Sequence, residues 1–178
     1  MRRIAICTGM LLAVCLSTGM SVRAEPMQTD GSQCERKADG LSWSENAPEL
    51  LSAKKAGAVD GVKAVLGKQV KVRLHPQKDV SFVTLPGSAT ETMEDGFAGM
   101  AVFEVPEDGS YAVSARGMAW IDLVQHGALI DSTGHEHGPS CEGKTVYFPL
   151  KAGRAVIQLS GVGGDAIDIL ITRGNPPE

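Results

Sequence analysis

Residues Ser132 to Glu142, Ser-Thr-Gly-His-Glu-His-Gly-Pro-Ser-Cys-Glu, concentrate two of the four histidines with carboxylates and a sulfur. Imidazole is the commonest borderline metal ligand, so His135 and His137, one residue apart, with Glu142 form a candidate site for copper or zinc. A third imidazole would have to come from His126 or His75, and spacing does not say which. Cys141 has two competing uses: as a thiolate ligand or redox thiol, or as half of a disulfide with Cys34. An oxidised Cys141 cannot serve as a thiolate ligand, so the disulfide and the thiolate site exclude each other. The plainer reading is that Gly134 and Gly138-Pro139 make the stretch a loop whose histidines hydrogen-bond backbone carbonyls.

Other chemistry-bearing residues are weaker. Ser132 with His135 and Asp131 supplies the residue types of a triad, but no nucleophile elbow presents the serine. Met93, Met100 and Met118 have the soft sulfur that copper(I) favours, yet they are scattered and fit core filling better. Trp120 and Asp122 either face a pocket or belong to the core. Gly161 to Gly164 lacks the strand-to-helix context of a phosphate loop and reads as a turn.

These residues are positioned by short strands. Val70, Val72 and Leu74 alternate with Lys71 and Arg73, the period-two signature of a half-buried strand, and Val80 to Leu85 repeats the pattern. Ser88 to Gly96 is a polar, acidic loop. Phe97 to Val105 is a strand ended by the turn Pro106-Glu-Asp-Gly109, and Tyr111, Val113 and Ala115 begin the next. Met118 to Val124 is nearly all apolar, as in a strand buried on both faces. Gln125-His126-Gly127 then turns the chain into Ala128-Leu129-Ile130. Val146 to Leu150, Ala155 to Leu159 and Ile167 to Ile171 alternate again. The fold expected is all-β, an antiparallel β-sandwich or jelly roll of about eight or nine strands. Before it, residues 25–67 read as an irregular lead-in, with two helical turns allowed at Glu49 to Lys55 and some apolar spacing over Ala58 to Leu66. The domain itself is expected over 68–174, followed by a disordered tail at 175–178.

The amino end reads as an export signal. Arg2 and Arg3 precede an apolar stretch from Ile4 to Leu16, and Val22-Arg23-Ala24 ends it with residues a signal peptidase reads. The stretch falls short of the roughly 20 apolar residues of a membrane span, and Val14 before Cys15 speaks against a lipoprotein anchor. Cleavage after Ala24 would leave 154 of the 178 residues, enough for one domain with a full core. It would remove three of the 17 basic residues and none of the 21 acidic ones, giving 14 minus 21, a net charge of −7. An acidic exported domain of this kind lacks the basic face that nucleic acid or anionic lipid requires. Cys7 and Cys15 would leave with the signal. In an oxidising compartment such as the periplasm the remaining Cys34 and Cys141 most simply pair. That bridge would close a loop of 141 minus 34, or 107, steps along the chain, worth about 4–5 kcal/mol in the chain-entropy account.

Ala119-Trp120-Ile121-Asp122 together with His135-Glu-His-Gly-Pro-Ser-Cys141 resembles a family of small exported proteins of unassigned function from Gram-negative bacteria, over about Cys34 to Arg173. Phe103-Glu-Val-Pro-Glu-Asp-Gly-Ser-Tyr111 with Leu150-Lys-Ala-Gly153 resembles, more weakly, the pre-peptidase carboxy-terminal type of β-sandwich, an accessory module of secreted enzymes. His135, His137 and Glu142 match the His-x-His-x4-Glu part of the first cupin metal motif. The match ends there: Leu129 and Pro149 stand where that motif has glycine, and no histidine follows Cys141. Relatives of the exported family sometimes carry a homogentisate dioxygenase label, but such an enzyme is a much longer cytoplasmic cupin. Three classes of function follow as expectations: a non-catalytic binding or accessory module for a protein, glycan or peptide; a periplasmic copper- or zinc-binding protein using His135 and His137; and, least supported, a cupin-like metalloenzyme.

Overall fold

Alternating apolar residues can bury one face of a strand only if a second sheet lies across it, and the chain meets that requirement with two sheets. A computed structural model describes residues 43–87, 96–138 and 143–177. Cys34, Cys141, Glu142 and Met93 lie outside the described residues. The strands are β1 (Glu49–Leu51), β2 (Val70–Arg73), β3 (His75–Pro76), β4 (Phe97–Val105), β5 (Gly109–Arg116), β6 (Trp120–Gln125), β7 (Ala128–Ile130), β8 (Gly134–His137), β9 (Lys144–Leu150), β10 (Gly153–Val162) and β11 (Ala166–Arg173). The first sheet runs β1-β2-β11-β5-β9-β8 and the second β3-β4-β10-β6-β7. Every neighbouring pair is antiparallel except β1 with β2. The protein is an all-β sandwich, as the alternation predicts. No helix among the described residues is long and apolar enough to cross a membrane.

Phe103, Tyr111, Leu123, Phe148, Ile157 and Ile169 are among the side chains that fill the space between the sheets. Buried Tyr111 sends its hydroxyl back to the carbonyl of Glu107 (2.8 Å) and so secures the β4–β5 turn. The β6–β7 connection is the expected two-residue turn. His126 (φ 52°) and Gly127 (φ 79°) both lie in the left-handed region, as a type I′ hairpin requires.

Three segments differ from the sequence expectation. Glu49 to Lys55 forms no helical turns. Instead β1 adds in parallel to the otherwise open edge of β2, and Ala53 bonds across to Met100 of the other sheet (2.8 Å). Ala56–Gly61 is a 3-10 turn whose Val59 packs with Ala53 on the outer face of the second sheet, against Met100, Val124 and Val156. Val80 to Leu85 alternates but forms no extended ladder; its one pairing is a bridge between Lys55 and Ser81. It is a strap whose Val80, Phe82 and Val83 complete the same outer cluster. This layer explains why both faces of the run through Val124 carry apolar residues: Ile121 and Leu123 face the core, and Val124 faces the strap.

Candidate functional site

The histidine stretch is a strand rather than the loop its glycines imply. β8 pairs with β9 so that His135 lies opposite Val146, Glu136 opposite Thr145 and His137 opposite Lys144. Gly138 N–H continues the ladder to Gly143 O at 2.8 Å. Paired residues share a face and faces alternate along a strand. Val146 and Phe148 point into the core, so Lys144, His135 and His137 stand on that side of the sheet, at its margin. Glu136 stands on the other. Among the described residues β8 is the last strand of its sheet. With Gly138–Gly143 a hydrogen-bonded pair, alternation directs the N–H and C=O groups of His135 and His137 away from β9, toward the open edge.

The two imidazoles meet edge to face, with ring centroids 5.5 Å apart and an interplanar angle of 84°. His135 is exposed and His137 partly buried. Burial, then the neighbouring His135 and Lys144, hold the His137 pKa below the usual histidine value. Its Nδ1 is enclosed without a hydrogen-bond partner among the described residues. On the opposite face Tyr147 donates its hydroxyl to Glu136 Oε2 (2.9 Å). Burial first, and the Glu136 carboxylate second, push the Tyr147 pKa up to about 12. A cleft of about 390 Å³ lies between Thr133–His137 and the chain end at Pro176 and Pro177.

Beside this edge, β7 pairs with only Leu123–Gln125 of β6. The margin of β6 at Trp120–Asp122 therefore has no strand on that side among the described residues, and Lys144 reaches across it. The Lys144 Nζ lies 5.0 Å from the Trp120 ring centroid, a cation–π distance. Burial pulls the Lys144 pKa down, opposed by the charge of Asp122. Burial likewise raises that of Asp122, opposed by the amide of Gly87 (3.1 Å) and the indole N–H of Trp120 (3.0 Å). Asp122 is thus an anchor for the strap rather than a pocket carboxylate. One strand over, buried Gln158 holds Val83 and Thr84 in the same way.

The remaining candidates do not converge on the pair. His75 Nε2 lies 2.8 Å from Ser52 O in the other sheet, and His126 sits exposed on the β6–β7 turn. No group of three or more histidine, cysteine, aspartate or glutamate side chains is placed to hold a metal ion among the described residues. Ser132 makes no hydrogen bond to His135 among the described residues, Met100 is buried in the outer cluster and Met118 is exposed. Lys144 escaped the sequence reading, although it shares parity with Val146 and Phe148 and was therefore legible as an inward-facing charge.

The fold defines the class, a two-sheet β-sandwich with a histidine-bearing edge strand. No family model and no curated protein matches the sequence. Among solved structures the chain aligns with a β-glucosidase from Paenibacillus barengoltzii at 13% identity and a TM-score of 0.28, over 75% of this chain and 14% of the enzyme's. The chain thus spans a small fraction of that enzyme's length, and a likeness at this level assigns nothing.

Proposed function

We propose that this protein is an exported, non-catalytic binding or accessory module that holds its ligand at the β8 edge. One observation carries the reading: the backbone edge of His135 and His137, open among the described residues, runs beside the cleft that Pro176 and Pro177 close on the other side. Unpaired edge groups offer main-chain hydrogen bonds to an extended partner, and a neighbouring cleft offers side-chain selection. Export and a periplasmic location are supported by the Arg2-Arg3, apolar and Val-Arg-Ala pattern of the first 24 residues. Pairing of Cys34 with Cys141 is supported by their being the two cysteines left after removal of that segment, and a thiol count with intact mass checks it.

The test places a photo-crosslinking residue at Thr133, which lines the cleft, and in a second variant at Gly163, exposed on the β10–β11 turn. Irradiated in producing cells, the Thr133 variant is expected to give a discrete adduct and the Gly163 variant none. Equal adducts at both positions, or none at either, would sink the reading.

A further inference from the structure

Resting on the edge reading above, we propose that the partner held at β8 is an extended peptide segment with lysine or arginine opposite Glu136 and an acidic residue on either side of it, opposite His135 and His137.

A strand added beside β8 places its side chains alternately on the two faces of the sheet, in step with β8 itself. The residue opposite Glu136 therefore falls on the outer face, and its two neighbours fall with His135 and His137 on the core side. The two faces differ in charge. On the outer face Glu136 is half-buried and makes no ion pair among the described residues. Tyr147 donates to its Oε2 at 2.9 Å, and among the described residues Oε1 has no partner. The prolines of the chain end stand close by: a Cβ built on Gly134, which shares the face of Glu136, would lie 3.0 Å from Pro176 Cβ, and Pro177 lines the same cleft. A carboxylate beside apolar rings suits a long aliphatic stem with a cationic tip, which packs the one and pairs with the other.

On the core side the sign is reversed. Lys144 stands opposite His137, and its charge is felt there: after burial and His135, it helps to lower the His137 pKa. Neutral imidazole also offers one N–H donor. An acidic side chain opposite either histidine accepts that bond and offsets the lysine, whereas a cation adds to the charge already present.

A second copy of this chain does not meet these terms. His135 and His137 turn their backbone groups to the edge, and the antiparallel register that joins both to a copy of β8 sets Glu136 directly opposite Glu136. Such a pair approaches to about 4.5 Å between Cα atoms, where like charges are unfavourable. The rule that rejects the copy selects a peptide of the opposite pattern.

The probe is fluorescein-labelled Thr-Val-Glu-Lys-Glu-Val-Thr, palindromic so that either strand direction presents the same pattern. Two further peptides replace its central triplet by Glu-Glu-Glu and by Lys-Lys-Lys. The chain carries a formal net charge of −4, so unspecific attraction would rank the Lys-Lys-Lys peptide first. Fluorescence anisotropy with the full chain is expected to rank the Glu-Lys-Glu peptide first instead, by roughly tenfold over both others. Amide NMR shifts are expected across Thr133 to His137 and none at Gly163. In Glu136→Lys the order of the Glu-Lys-Glu and Glu-Glu-Glu peptides is expected to invert, and melting curves confirm that the variant is folded. No binding of the Glu-Lys-Glu peptide, equal or tighter binding of the Lys-Lys-Lys peptide, or an unchanged order in Glu136→Lys would each overturn the proposal. Any of these together with a discrete adduct at Thr133 leaves the edge reading standing; no adduct and no probe binding removes both.

Discussion

Gly99, the third residue of β4, lies beneath the chain as it crosses between the sheets, and Gly99→Ala tests the closeness of that crossing. A Cβ built there overlaps Ser52 Oγ, lies 2.5 Å from Ser52 Cβ and 3.1 Å from Leu74 Cδ2. Rotating the serine would move its hydroxyl away but not its Cβ. Relief to an ordinary carbon–carbon contact of about 3.5–4 Å therefore needs the backbone to shift by about 1 Å. Ser52 is not free to make that shift: its amide bonds to Arg73 O (2.9 Å), and the next residue exchanges two bonds with Met100 (2.8 and 3.2 Å). Overpacking of this kind costs about 1–3 kcal/mol, and the rigid flanks place Gly99→Ala toward the upper end. Ser52→Gly removes both offending atoms, including a buried hydroxyl with no partner among the described residues. It costs about 0.5–1 kcal/mol in added chain entropy. The double variant should recover at least about 1 kcal/mol relative to the sum of the single changes. Urea denaturation of the four proteins, compared at constant m, gives the cycle. A Gly99→Ala protein within about 0.5 kcal/mol of wild type, or strict additivity of the pair, would refute the reasoning.

Three further outcomes follow from the same geometry. Gln158→Ala removes the bonds to Val83 N (2.9 Å), Thr84 N (3.2 Å) and Thr84 O (3.1 Å). At about 1 kcal/mol each it should cost about 2–4 kcal/mol with the cavity and speed amide exchange at Val83 and Thr84, and unchanged exchange there would count against the strap. The folded state raises the Tyr147 pKa, so its contribution to stability is complete below pH 10 and is lost as pH rises through about 12. Glu136→Gln should lower that midpoint in an alkaline absorbance titration while burial keeps it above the ordinary tyrosine value, and an unmoved midpoint would contradict the hydrogen bond. His126→Asn should raise the melting temperature, since asparagine adopts the left-handed conformation of a type I′ turn more readily than histidine; a lower melting temperature would contradict the turn assignment.

The candidate site was legible in part. The pairing of chemistry-bearing residues at 135 and 137 stands in the sequence, and so does the parity that puts Lys144 with Val146 and Phe148. That Gly134–His137 is a strand could not be read, because four residues flanked by glycine and proline carry little local preference. The open margin of β9, which offers that stretch a hydrogen-bonding partner, decides its conformation. Val80 to Leu85 misled in the opposite sense. Its alternation reports an apolar face, which Val80 and Phe82 do have, but beyond Ser81 the backbone partners that would make it a strand are replaced at Val83 and Thr84 by the side chain of Gln158.

By itself the sequence determined that this protein is all-β, where the strand Phe97–Val105 and the centre of β10 at Ala155–Leu159 run, and that Gln125-His126-Gly127 reverses the chain. Those properties depend on side-chain period and on turn residues, which act over a few neighbours. Only the tertiary structure decided that β8 is an edge strand, that its two imidazoles stand 5.5 Å apart, and that Asp122 serves the strap. Each of these depends on which distant backbone or side chain supplies the partner, and partners far apart in the chain leave no local pattern to read.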